Sequence, residues 1–146
     1  GFFDYRCGYC RRSSADLFAI RDDADDVKII YKEFPILGDA STLASRAALA
    51  SRNQELYEPF HEALMEADIG FSQAEIMAVA ADVGLDTDQL ARDMEDPEID
   101  AYLARTYELA RALGVNGTPA FIVNGTLYPG ALSRSDLEQL VEAGRS

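Results

Sequence analysis

The sequence predicts a mixed α/β fold in which a block of helices interrupts a small sheet. Three observations carry this. A short aromatic segment, residues 1–6, runs directly into Cys7-Gly-Tyr-Cys10 and a helical stretch. A β-branched and aromatic run follows at residues 27–36. After a long helical pattern, an apolar strand resumes at residue 120 and turns back through Asn124-Gly125. Because the sheet resumes after the helices and no linker divides the chain, residues 39–113 read as an insertion within one domain spanning residues 1–146.

The elements follow in order. Residues 11–21 read as a helix with Leu17, Phe18 and Ile20 as its apolar members, ended by the charged loop Asp22-Asp-Ala-Asp-Asp26. Residues 27–36 read as a strand closed by Pro35 and Gly38. Within the insertion, helix starts are expected at Ser41, Ser72, Asp86 or Thr87, and Asp96 ahead of Pro97, with Gly70, Gly84 and Gly114 as stops. Ser72-Gln-Ala-Glu75 has the capping-box pattern. The helical block has no fixed-period self-similarity, so a repeat array is not expected. Residues 120–123 form a strand, Asn124-Gly125 is the strongest short hairpin signal, and residues 126–128 return. A helix over residues 133–143, capped by Ser133 or Ser135, closes the chain.

Composition narrows the function. The chain has 146 residues with 48% hydrophobic residues, an ordinary globular composition. Its 13 Lys+Arg against 26 Asp+Glu give a formal charge of −13, which argues against a general nucleic-acid binder and against docking on anionic lipid. No apolar run approaches the roughly 18 residues of a membrane span, so membrane insertion is not expected. With no basic-then-apolar leader, the chain reads as cytosolic or as the mature part of an exported protein.

Two cysteines and one histidine bear most of the reactive chemistry. A Cys-x-x-Cys has two main readings. Half of a zinc site needs four ligands, and here the Cys/His candidates end at Cys7, Cys10 and His61. A redox dithiol at the first turn of a helix fits the position, where an aromatic strand hands over to a helix. There Cys7 faces the unpaired N–H groups and positive end of the helix, so a pKa below the free value of about 8.5 is expected. Arg6, Arg11 and Arg12 cluster around the motif, and Asp4 acts in the opposite sense. The spacing puts Cys10 one turn on, sharing with Ser14 and Leu17 a face that packs inward. Cys7 is then the exposed attacking thiol and Cys10 the sheltered one. The second constellation is Gly114-Val-Asn-Gly-Thr-Pro-Ala-Phe-Ile-Val123, where Thr118-Pro119 precedes an apolar strand; alone, it reads equally well as a turn.

Taken together, Phe2-Phe-Asp-Tyr-Arg-Cys-Gly-Tyr-Cys10, Lys32-Glu-Phe-Pro-Ile-Leu-Gly38 and Gly117-Thr-Pro-Ala-Phe121 resemble the DsbA-like thiol:disulfide oxidoreductases. These are bacterial proteins with a thioredoxin-like fold carrying an inserted helical subdomain. The resemblance implies that Cys7 is the nucleophile, Cys10 the resolving cysteine, and Thr118-Pro119 a cis-proline loop where an extended substrate pairs as an added strand, with Tyr9 beside it. It implies thiolate tuning by Gly8, Arg6 and Arg11. It implies cysteine-containing protein substrates, a redox partner that resets the dithiol, no cofactor beyond the Cys7–Cys10 disulfide, and a periplasmic or otherwise exported location. Two departures stand out. The family's first strand runs further before the Phe-Phe pair and often includes a buried acid, whereas here Gly1 begins the chain, so a truncated strand and a missing acid are expected. Strongly oxidising members carry Pro-His between the cysteines, where this chain has Gly8-Tyr9, more like the isomerase relatives.

The remaining polar residues read structurally. His61 is expected to be a partly buried structural histidine, Met65, Met77 and Met94 core fillers, and Asp22 to Asp26 a solvated loop. Asn116 and Asn124 match a glycosylation sequon but serve as turn residues. Lys32 and Glu33 beside the active-site strand read as tuning groups. A rival of another class is a thioredoxin-like metal-binding or chaperone module whose cysteines hold a soft metal such as Cu(I).

Overall fold

The computed structural model describes residues 1–145. Its sheet has four strands, β1 (Phe2–Phe3), β2 (Lys32–Glu33), β3 (Ala120–Val123) and β4 (Thr126–Pro129), in the order β2-β1-β3-β4. β1 runs parallel to β2 and antiparallel to β3, with Phe2 opposite Lys32 on one side and Ala120 on the other. Helix α1 (Gly8–Asp23) follows β1. Helices α2 (Asp39–Ala50), α3 (Tyr57–Glu66), α4 (Gln73–Asp82), α5 (Thr87–Asp93) and α6 (Pro97–Leu113) lie between β2 and β3 in sequence, with a 3-10 turn at Ser51–Gln54, and α7 (Arg134–Gly144) ends the fold. This is a thioredoxin-like α/β arrangement with a helical insertion.

Local chemistry explains most of the element boundaries. Ser72 and Ser133 each close a capping box, with Glu75 and Asp136 respectively. Asp86 and Asp96 accept from backbone N–H groups of α5 and α6, and Pro97 occupies the first turn of α6, where its missing N–H costs nothing. Gly114 ends α6 in the left-handed conformation. Asn124 and Gly125 both have positive φ, 53° and 81°, the type I′ turn that suits a two-residue hairpin.

Three boundaries depart from the sequence reading. The strand expected over 27–36 is reduced to Lys32–Glu33, because β1 offers only Phe2 and Phe3 as ladder partners. Helix α2 begins at Asp39 rather than Ser41. Ser41 is buried, and its hydroxyl donates to Asp4 Oδ1 at 2.7 Å instead of capping a helix. Gly70 is not a helix stop. Helix α3 already ends at Glu66, and the Gly70 N–H donates to Glu75 Oε2 in the loop that enters α4.

Two apolar clusters hold the fold. The larger joins Phe3, Tyr5 and both cysteines to the inner faces of the inserted helices, with Phe60, Leu64, Ile76 and Leu90 fully buried. Burying each such side chain contributes about 1.5–3 kcal/mol. The smaller packs Phe2, Phe34, Ala110, Val115 and Ala120 on the other side of β1. The cysteine motif therefore sits where sheet and insertion meet. No helix among the described residues is long and apolar enough to cross a membrane.

Candidate active site

A buried carboxylate sets the approach to the motif. Asp4 has no exposed surface. Its Oδ1 accepts from the Arg6 N–H at 2.8 Å and the Ser41 hydroxyl, and its Oδ2 accepts from the Ile36 and Leu37 N–H groups at 2.9 and 3.0 Å. The loop before α1 is thus tied to the loop after β2. The Asp4 carbonyl also accepts from the Cys7 N–H at 3.1 Å, which fixes Cys7 as the N-cap of α1.

As an N-cap, Cys7 uses sulfur where Ser or Asp would use oxygen. The Cys10 N–H donates to Cys7 Sγ at 3.3 Å, and Cys7 Sγ donates to the Thr118 carbonyl at 3.5 Å. The sulfur therefore lies between the positive end of a helix and the loop before β3. Both cysteines are free thiols in this structure. The expectation of an exposed Cys7 does not hold, since Cys7 is 8% exposed and Cys10 2%; the Thr118 loop covers Cys7. Burial and a hydrogen bond with Cys7 push the Cys10 thiol up to about 12.

The other residues singled out in the sequence divide into those near the sulfurs and those engaged elsewhere. The Thr118–Pro119 peptide is cis; Pro119 is buried, and its carbonyl accepts from the Gly130 N–H at 2.9 Å. Residues of this loop, with Leu127 and Pro129, line an open cleft of about 380 Å³. Tyr9 is 61% exposed, with the Arg12 guanidinium 4.5 Å from its ring centroid. Gly8 opens α1. The Arg6 guanidinium donates to the Leu37 carbonyl at 3.0 Å. Arg11 donates to the carbonyls of Tyr5, Leu64 and Ala67, joining α1 to the end of α3. A larger cleft of about 580 Å³, between residues 26–30, β3 and α7, has neither cysteine in its lining.

The sequence reading missed a polar cluster behind the motif. Glu33 is completely buried. Its Oε2 accepts from the Tyr5 hydroxyl at 2.9 Å and the Tyr57 hydroxyl at 2.5 Å, while its Oε1 has no hydrogen-bond partner. The Tyr5 oxygen also lies 2.8 Å from His61 Nδ1. His61 is almost wholly buried, rather than partly as expected, and its ring packs against Phe3, Tyr31 and Tyr57. Desolvation raises the Glu33 carboxyl to about 8 and lowers the His61 imidazole to about 3. Glu33 was singled out in the sequence as a tuning group. Its ties to Tyr57 and to His61 by way of Tyr5 cross 24 to 56 residues of chain, so no local pattern signals them.

Among the described residues, no group of three or more His, Cys, Asp or Glu is arranged to hold a metal ion. Two acidic side chains, Asp4 and Glu33, are fully buried.

Comparison with known proteins sets this geometry in context. A family model described as the DSBA-like thioredoxin domain matches residues 1–142. A thioredoxin-like oxidoreductase from Silicibacter pomeroyi DSS-3 superposes with a TM-score of 0.94 at 46% identity, covering 99% of this chain and 83% of that one. The thiol-disulfide exchange protein alpha-DsbA2 from Wolbachia pipientis superposes at 0.90 with 32% identity, over 97% of this chain and 78% of that one. Among curated proteins, one named Na(+)/H(+) antiporter NhaA from Herminiimonas arsenicoxydans is 24% identical over 145 residues, which is 99% of this chain and 23% of that protein. The chain spans about a quarter of the length of the curated relatives it matches.

Proposed function

The chain belongs to the DSBA-like thioredoxin domain family, and from that premise we propose that it exchanges a disulfide between Cys7–Cys10 and cysteines of protein substrates. The observation that carries this reading is the position of Cys7 Sγ. It takes the Cys10 N–H at the head of α1 and lies 3.5 Å from the Thr118 carbonyl, between a helix end that favours sulfur anions and a backbone edge that an extended peptide can join.

In the oxidising direction, a substrate thiolate attacks Cys7 Sγ. A bond forms between the two sulfurs, the Cys7–Cys10 bond breaks, and Cys10 leaves carrying the electron pair. A second substrate thiolate then attacks its own mixed-disulfide sulfur. The substrate leaves with a disulfide and the protein is left as a dithiol. In the reducing direction, Cys7 attacks a substrate disulfide and Cys10 resolves the adduct. Only a partner that resets the dithiol is needed, with no further cofactor. Such a couple works in an oxidising compartment, and membership of this family supports a periplasmic or otherwise exported location.

The test is turnover. The oxidised protein incubated with a reduced two-cysteine peptide is expected to give oxidised peptide and protein dithiol in equal amounts. Cys7→Ser abolishes the exchange, and Cys10→Ser, which has no disulfide of its own to donate, attacks the disulfide form of the peptide through Cys7 and stops at the mixed disulfide. A protein that instead takes up one equivalent of Cu(I) and exchanges no disulfide would overturn this reading in favour of a metal-holding module.

A further inference from the structure

Arg6, Arg11 and Arg12 crowd the head of α1 in a chain whose formal charge is −13. A helix N-terminus is an unfavourable place for a cation, and α1 has no acidic residue in its first turn to offset one. Elsewhere in the molecule Arg21, Arg46, Arg134 and Arg145 all pair with carboxylates. No ion pair among the described residues includes Arg6, Arg11 or Arg12. Arg11 is satisfied otherwise, since its guanidinium donates to the carbonyls of Tyr5, Leu64 and Ala67. Arg6 and Arg12 are not.

Both of these are exposed, as are Gly8 and Tyr9. The Arg12 guanidinium lies 4.5 Å from the centroid of the Tyr9 ring. Its Nη1 is 3.6 Å from the point where a Gly8 Cβ would stand, so the side chain folds back beside the residue that follows Cys7. Asp16, four residues on, is the ordinary helical partner for such an arginine, yet Asp16 acts on Arg134 of α7 instead. A guanidinium carried on an aromatic face keeps its N–H edge for a carboxylate. Arg6, which precedes Cys7, donates through Nη1 to the Leu37 carbonyl at 3.0 Å. That bond occupies one N–H of a group that carries several. Asp4, the nearest acid in sequence, does not neutralise it, because its carboxylate already accepts from the Arg6 N–H, the Ser41 hydroxyl and the Ile36 and Leu37 N–H groups.

We propose that Arg6 and Arg12 recognise a carboxylate beside the substrate cysteine, so that the segments exchanged fastest carry Asp or Glu two residues from the cysteine that bonds to Cys7. The inference rests on the exchange reading above and adds a substrate class to it. The Thr118 carbonyl, 3.5 Å from Cys7 Sγ, gives an extended peptide a backbone edge to join. In such a peptide the side chains two residues either side of the cysteine share its face, about 6.7 Å away along the strand. They reach the protein surface around Cys7, where Arg6 stands before the sulfur in sequence and Arg12 folds back beside Gly8 after it. The two cations act on the substrate's carboxylate and take no part in the transfer of the sulfur bond.

Net charge and local charge oppose each other here. A formal charge of −13 repels acidic segments at long range and favours basic ones. At about 0.15 M salt the screening length is about 8 Å, so the cations around Cys7 outweigh the distant carboxylates once a peptide has docked.

The test uses reduced two-cysteine peptides that differ only in the residue two places outside each cysteine, Asp, Asn or Lys. The oxidised protein is mixed with each, and the appearance of protein dithiol is followed by alkylation and mass. Each rate is divided by the rate at which the same peptide reduces hydroxyethyl disulfide, which removes the effect of the flanking charge on the peptide's own thiols. In the wild type at about 0.15 M salt the Asp peptide is expected to outpace the Asn peptide about fivefold, with the Lys peptide slowest, and the gain shrinks at about 1 M salt. Arg6→Gln and Arg12→Gln each lower the Asp-to-Asn ratio, and Arg12→Glu reverses the order of Asp and Lys. Because each ratio compares two peptides on one protein, a changed reactivity of Cys7 cancels. Equal rates for Asp and Asn on the wild type would overturn the proposal with no need of a variant. So would a faster Lys peptide, which would mean that net charge governs, or an Asp-to-Asn ratio unchanged in both Gln variants. Absence of protein dithiol with every peptide would overturn the exchange reading itself, whereas exchange without a preference for Asp overturns only the recognition.

Discussion

Two groups of side chains contrast: an outer one, Tyr9, 61% exposed, with exposed Arg6 and Arg12, and an inner one, Tyr5, Glu33, Tyr57 and His61, all but Tyr57 fully or almost fully buried. The outer groups are held by single contacts, such as Arg6 to the Leu37 carbonyl. The inner groups share one network in which Tyr5 bridges His61 and Glu33. Cys7 Sγ lies 3.5 Å from the Thr118 carbonyl, whereas Cys10 lines a small cavity together with His61. The difference teaches that the exposed outer side chains are held loosely, while the inner face is constrained by desolvation, where an unpaired polar group is costly.

The largest expected effect separates the two sulfurs outright. Cys7→Ser removes the attacking sulfur and is expected to abolish exchange with a dithiol peptide. Given the disulfide form of the peptide, Cys10→Ser attacks it through Cys7 and accumulates the mixed disulfide, visible as an added peptide mass on the protein.

Next comes the inner network, read through stability against pH. Glu33 is about 8 in the folded protein, against 4.5 for the ordinary carboxyl. Its contribution is therefore full below pH 4.5 and is lost as pH rises towards 8. His61, at about 3 against an ordinary 6.5, works in reverse, and its contribution is lost as pH falls from 6.5. The two oppose each other between pH 4.5 and 6.5, so unfolding free energy should be flat there. Between pH 6.5 and 8 the Glu33 contribution falls by about 1.4 kcal/mol per pH unit, opposed there by the Gly1 ammonium, which is lowered from 8.0 to about 6. Glu33→Gln should flatten that fall, and denaturant unfolding at pH 6, 7 and 8 checks it. An equal slope in the variant would mean that the carboxyl does not titrate there.

Asp4→Asn should cost about 2–3 kcal/mol, because a buried carboxylate that accepts from Arg6, Ser41, Ile36 and Leu37 is replaced by a group that cannot accept from all four donors. Urea unfolding would measure the loss. Tyr9→Ala, on the outer face, should change stability by less than about 1 kcal/mol, since it loses one exposed cation–π contact. Its effect belongs in the KM for peptide substrates.

The contrast also explains what was legible in the sequence. Helix starts at Ser72, Asp86, Asp96 and Ser133, the Asn124-Gly125 turn and the left-handed Gly114 are set by local chemistry, and each could be read from a few neighbouring residues. So could the placement of Cys7 at the head of a helix. The length of β2 was not legible, because a strand is defined by its partner and β1 pairs through Phe2 and Phe3 alone. Ser41 looked like a helix cap until Asp4, 37 residues away, claimed its hydroxyl. Arg11, close to the cysteines in sequence, turns towards the carbonyls at the end of α3. The Glu33–Tyr5–His61 network combines residues whose proximity is created only when α3 packs against the sheet.

The central claim, that Cys7 and Cys10 form a working redox couple, is tested most directly by the reduction potential. Equilibrating the protein in glutathione buffers of graded ratio and counting free thiols by alkylation and mass shift would measure it. The account predicts one reversible two-electron transition within the roughly −120 to −270 mV range of thioredoxin-fold dithiols, with Cys7 and Cys10 oxidised and reduced together. A value near the upper end makes the protein a disulfide donor, and one near the lower end a reductant or isomerase-type partner. A protein whose thiols stay free at every ratio would contradict the account.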